Sequence, residues 1–164
     1  MLTPKLATLP DFSPDSRVWV YMANRPLTEA ETTFAQRQLD AFVRQWTAHN
    51  QDLQAAAEVF ENQFLLLMVD ETNAGASGCS IDKSVHFLEQ LGQHLNVDLF
   101  ERMLFGWVDG QQVKVADRNT FAHLVQGASI AAETPVVNTL VQSKKELAEK
   151  WLLPYGKSWH RRLF

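Results

Sequence analysis

The chain has 164 residues, 46% hydrophobic and 21% charged, with seven glycines, six prolines and a single cysteine, Cys79. These proportions describe one globular domain of ordinary size and exclude a collagen-like, disordered or coiled-coil chain. The longest clean apolar run, residues 64–69, is far short of the roughly 20 residues a membrane helix needs, and one cysteine excludes an internal disulfide.

Residues 1–16 hold Pro4, Pro10 and Pro14, which block both helix and central strand, so an extended N-terminal arm is expected ahead of a single domain over residues 17–164. Val18-Trp19-Val20-Tyr21-Met22 is branched and aromatic and predicts a strand. Thr28 with Glu31 forms a capping box, and the stripe Ala35, Leu39, Phe42, Val43, Trp46 predicts a helix ending near His49-Asn50. Strands are predicted over residues 53–60 and 64–70, turning at Glu61-Asn62. The small residues Ala74 to Ser80 open a second helix with Ile81, Val85, Leu88 and Leu95 on its inner side. A fourth strand is expected over residues 102–108, then a type I′ hairpin at Asp109-Gly110 pairing back through residues 111–115. Asp117 caps a short helix stopping at Gly127, residues 135–141 read as a strand, and Ser143 with Glu146 starts a last helix reaching about Trp151.

The first six elements therefore run β-α-β-β-α-β, the order of a ferredoxin-like split βαβ unit. The predicted fold class is α+β, with a mainly antiparallel sheet and a C-terminal β-α-β-α extension. Trp19, Phe42, Trp46, Leu66, Met68, Val85, Leu88 and Leu104 are the expected core.

Charge is unevenly spread. Residues 1–142 carry 9 Lys/Arg and 17 Asp/Glu, whereas residues 143–164 carry 6 Lys/Arg and 2 Asp/Glu. The acidic body argues against nucleic acid as a partner. The tail interleaves bases with Trp159, Leu163 and Phe164, and the spacing favours anchoring of the chain end over base stacking. No P-loop, dinucleotide fingerprint, H-E-x-x-H or G-x-S-x-G pattern occurs, and no cofactor or metal is expected.

One stretch could carry chemistry. Residues 77–82, Ser77-Gly78-Cys79-Ser80-Ile81-Asp82, open a helix whose first N–H groups lack intrahelical acceptors. Such a start can bind an anion or lower a thiol's pKa, although plain capping by Ser77 or Ser80, with Cys79 as a small apolar filler, is the simpler reading. A triad of Cys79, Asp82 and His86 along the helix fails, because seven residues span about 10.5 Å where nucleophile and base need roughly 3 Å. Topology offers His49 instead, since the first helix should end where the second begins. The expectation is a non-catalytic binding or interaction module meeting a small anion or a protein through a loop at residues 75–86 or through an open sheet edge, with Ser77, Gly78, Ser80, Asp82 and His86 as ligand contacts. The alternative is a small cysteine-dependent hydrolase or transferase using Cys79 with His49.

Arg17-Val18-Trp19-Val20-Tyr21, Asn24-Arg25-Pro26-Leu27, Trp46-Thr47-Ala48-His49, residues 75–87 and Ser158-Trp159-His160 together resemble a family of small uncharacterised bacterial proteins, members of which are sometimes labelled "ABC transporter ATPase". The resemblance covers most of the chain after residue 16 and implies a bacterial, cytoplasmic protein. The label would imply a Walker A loop, which this sequence lacks.

Overall fold

A computed structural model describes residues 2–164. The chain is α+β, built as two antiparallel sheets packed face to face with helices on the outside. The first sheet contains β1 (Arg17–Met22), β4 (Gln54–Phe60) and β5 (Phe64–Asp70) in the order β1-β5-β4. It is covered by α1 (Glu29–Gln45) and α2 (Gly78–Leu95). β5 is apolar at nearly every position and buried throughout, because it serves two cores. Leu65, Leu67 and Val69 pack under the helices. Phe64, Leu66 and Met68, on the alternate face, pack toward the second sheet.

The capping box forms as the sequence predicts, with Thr28 Oγ1 accepting from Glu31 N–H and the Glu31 carboxylate accepting from Thr28 N–H. α1 ends earlier than expected. Trp46 turns inward, and the chain makes a small hairpin of β2 (Thr47–Ala48) and β3 (Gln51–Asp52). His49 (φ 51°) and Asn50 (φ 63°) are its two central residues, the pair of positive φ angles that a type I′ turn requires.

The second sheet contains β6 (Leu104–Asp109), β7 (Gln112–Asp117), β8 (Pro135–Val137) and β9 (Leu152–Pro154), in the order β7-β6-β8-β9. Its outer face is covered by α3 (Arg118–Gln126) and the C-terminal residues around Phe121, Trp159 and Phe164. Leu147 of α4 (Lys144–Lys150) joins the core between the sheets. The β6–β7 turn is centred on Gly110-Gln111, one residue later than predicted. Positive φ occurs at Gly110 alone (65°), which is the type II′ pattern.

The predicted fourth strand of the ferredoxin-like unit does not lie beside β1. It forms as β6 and pairs with β7 and β8. The reason is in its side chains. Leu104 and Val108 face the core between the sheets while Phe105 and Trp107 face α3, so both faces need cover, as in a central strand. A Cβ on Gly106 would stand 2.9 Å from Val137 Cγ2 and 3.1 Å from Phe64 Cζ, and the bare α-carbon is what lets the sheets approach. On that side of β1 the described residues form one bridge, Arg17 with Ser143, through Val18 N–H to Gln142 O and Lys144 N–H to Ser16 O.

Residues 2–16 are not extended throughout, contrary to what the prolines predict for an arm. They make a 3₁₀ turn, Lys5–Thr8, that buries Leu6 and Ala7. The Glu58 carboxylate accepts from Lys5 N–H and Leu6 N–H, the Asp70 carboxylate accepts from Ser13 N–H, and Lys144 Nζ donates to Leu9 O and Phe12 O. On the β4 edge, Gln36 of α1 acts as a substitute strand: its Oε1 accepts from Val59 N–H at 2.8 Å and its Nε2 donates to Ala57 O at 3.2 Å. No helix among the described residues is long and apolar enough to cross a membrane.

Candidate functional site

The start of α2 is a closed hydrogen-bonded unit. Ser77 caps the helix: its Oγ accepts from Ser80 N–H, while Ser80 Oγ accepts from Ser77 N–H and donates to Ser77 O. Ala76 N–H donates to the Glu71 carboxylate at 2.8 Å, so an internal anion already occupies part of the loop. A Cβ on Gly78 would meet nothing, and no close approach demands glycine there.

α2 is rotated slightly from the predicted orientation. Its buried face is Ser80, Ser84, Leu88, Leu91, Gly92 and Leu95, which leaves Ile81 and Val85 half-buried. Burial costs the serines little, because Ser84 Oγ donates to Ile81 O and Ser80 Oγ is satisfied at the cap. Trp46 Nε1 donates to Ser80 O at 2.8 Å and draws this end of the helix down. Phe42 and Trp19 flank the indole with ring centroids 5.2 and 5.9 Å away, and both stay half-buried at the margin of the core.

The expected site residues therefore share one end of the molecule without converging. His49 is exposed at the tip of the β2–β3 hairpin, and Cys79 and Asp82 are exposed on the first turn of α2. Among the described residues no hydrogen bond joins Cys79, Asp82 or His49 to another side chain. His86 does not pair with Asp82; its Nδ1 stands 4.0 Å from Glu89 Oε2 in solvent. No group of three His, Cys, Asp or Glu suited to a metal ion occurs among the described residues.

A second place was less visible in the sequence. In β1 the alternation that sends Val18 N–H outward to Gln142 O sends the N–H and C=O of Val20 the same way. Among the described residues Val20 finds no backbone partner on that side. A groove of about 330 Å³ opens there, lined by Val20, Tyr21, Phe100, Leu140 and Trp159, with Glu101 and Arg102 of opposite charge at its margin. Leu140 is 61% exposed and Phe100 38%. Trp159 is fixed by donation from its Nε1 to Asn138 Oδ1 at 3.0 Å, and Asn138 Nδ2 donates to Lys150 O. The sequence carried no signal for this groove, because residues 102–108 read as the strand that would complete the first sheet. Cys79 and His49 do not line it. No protein family, curated protein or solved structure matches this chain.

Proposed function

We propose that the protein is a non-catalytic, cytoplasmic interaction module that receives an extended segment of a partner protein along the open edge of β1. In this reading the first sheet is a split βαβ unit whose fourth position was left vacant when β6 joined the second sheet, and the partner supplies the missing strand. The observation that carries it is Val20, whose N–H and C=O face a groove with apolar walls. Unpaired edge groups give affinity to an added strand, and adjacent apolar pockets select its alternate side chains.

The test is backbone amide exchange on the labelled protein titrated with a neutral peptide of alternating valine and threonine. Slowed exchange at Val20, weakened by Leu140→Asp, is the expected result. Perturbation at the start of α2 with none at Val20 would return the choice to the loop at residues 75–86.

A further inference from the structure

The β1 groove does not end at Trp159. The same indole lines a second cleft of about 510 Å³ formed by Gly156, Lys157, Ser158, Trp159, Arg161 and Arg162. An apolar strand-accepting groove and a cleft with three cations therefore share one wall. Arg161 Nη1 donates to Gly156 O at 3.1 Å, which holds its guanidinium on this cleft. Lys157 and Arg162 are exposed, and among the described residues neither has an ion-pair partner. The setting sharpens the contrast, because residues 1–142 carry 9 Lys/Arg against 17 Asp/Glu.

Resting on the strand-accepting reading above, we infer that the partner is a protein segment whose apolar, extended stretch is joined to acidic residues: the stretch pairs with β1 over Phe100 and Leu140, and the carboxylates cross Trp159 to Lys157, Arg161 and Arg162. Charge complementarity selects this occupant. In the groove Glu101 and Arg102 cancel, so the second cleft alone sets the sign. A nucleic acid would meet the same cations and then the acidic body. A second copy of this chain would bring its own Gln142–Ser143 bridge against the strand it had to pair with.

The experiment uses three peptides with the same alternating valine–threonine stretch and a tail of serines, aspartates or lysines, titrated against the full chain with amide exchange at Val20 as the structural readout. The aspartate tail should bind at least about tenfold tighter than the serine tail at low salt, with the advantage fading as salt rises. In the triple variant Lys157→Gln, Arg161→Gln, Arg162→Gln the advantage should vanish while the serine-tailed peptide binds as before, which also shows that the variant folds. Equal binding of the aspartate and serine tails with Val20 still protected overturns the acidic partner and leaves the edge reading intact. Failure of all three peptides to slow exchange at Val20 overturns both. Tighter binding of a single-stranded RNA oligonucleotide at the basic cleft, or self-association through the groove in sedimentation, overturns the inference in favour of that occupant.

Discussion

Trp46 Nε1 donates to the carbonyl oxygen of Ser80 across 34 residues of sequence, at 2.8 Å and out of contact with water. That bond joins the end of α1 to the start of α2, and it explains why α1 stops at Gln45 and why the serine face of α2 turns inward. Trp46→Phe keeps an aromatic ring and removes the indole donor from the buried Ser80 oxygen, leaving it only its helical bond. A loss of about 1–3 kcal/mol is expected in urea denaturation, with amide exchange accelerated first around the β2–β3 hairpin. A loss below about 0.5 kcal/mol would mean water replaces the indole at no cost.

Cys79 and His49 test the enzymatic alternative. Both are exposed and neither lines the β1 groove. Cys79→Ser and His49→Ala should each leave peptide binding at β1 and the denaturation midpoint unchanged within error. A turnover assay that finds a reaction abolished by both substitutions would establish the thiol site in place of the interaction module.

Gly106 leaves no room for a side chain between its neighbour strand β8 and Phe64 of the facing sheet. Gly106→Ala puts a methyl group 2.9 Å from Val137 and 3.1 Å from Phe64, both deep in the shared core. Overpacking of this kind costs typically about 1–3 kcal/mol. Equal stability of the variant would show that the two sheets slide apart freely.

How much of this was legible in the sequence follows from how local each signal is. Thr28 with Glu31 and Ser143 with Glu146 named helix starts correctly, because a cap is decided within four residues. Phe64 to Val69 named the central strand, because an unbroken apolar run has no solvent face to offer. The partner of β6 was not legible. Strand pairing is settled by which faces need cover, and the two-sided apolar pattern of Leu104 to Val108 was read as strand without the inference that it needs a second sheet. The tail was legible only in outline. It does anchor, but His160 is the buried residue, stacked on Trp159 and wedged between Phe105 and Phe121, while Leu163 stays 39% exposed. At the candidate site, chain order placed His49 and Cys79 at one end, and the distances that decide chemistry depend on side-chain packing that chain order leaves open.

His160 gives the fold a pH dependence. Its Nδ1 lies 2.5 Å from Ser158 Oγ among aromatic rings, and burial lowers its pKa from 6.5 to about 4. Above pH 6.5 the folded and unfolded chains hold the same protons at this residue. As pH falls from 6.5 toward 4 the unfolded chain takes up a proton that the folded chain refuses, so stability is lost across that window. Glu31, held to about 2 chiefly by its hydrogen bond from Arg25, loses its contribution only below about 4.5, so measurements between pH 5 and 7.5 isolate the histidine. His160→Gln should be less stable at neutral pH and show a flatter profile over that interval. A profile as steep as that of the unaltered chain would assign the dependence elsewhere.

Ala128 follows α3 with φ at 60°, a conformation that disfavours a side chain, while the adjacent Gly127 sits at −83°. The glycine is thus one residue short of the left-handed position. Ala128→Gly should raise stability by about 0.5–1 kcal/mol in thermal or urea denaturation, the relief of left-handed strain outweighing the added freedom of the unfolded chain. A decrease would mean that Ala128's methyl group contributes packing its exposure conceals.

The side-chain amide of Gln36, bonded to Ala57 O and Val59 N–H, makes the two rims of the first sheet unequal. A strand laid along β4 at residues 57–59 would have to break both bonds, whereas Val20 on the β1 rim has no backbone partner to displace among the described residues. Strand addition to this sheet is therefore biased toward β1 without the β4 rim being closed, since a cleft of about 570 Å³ still borders residues 55–59.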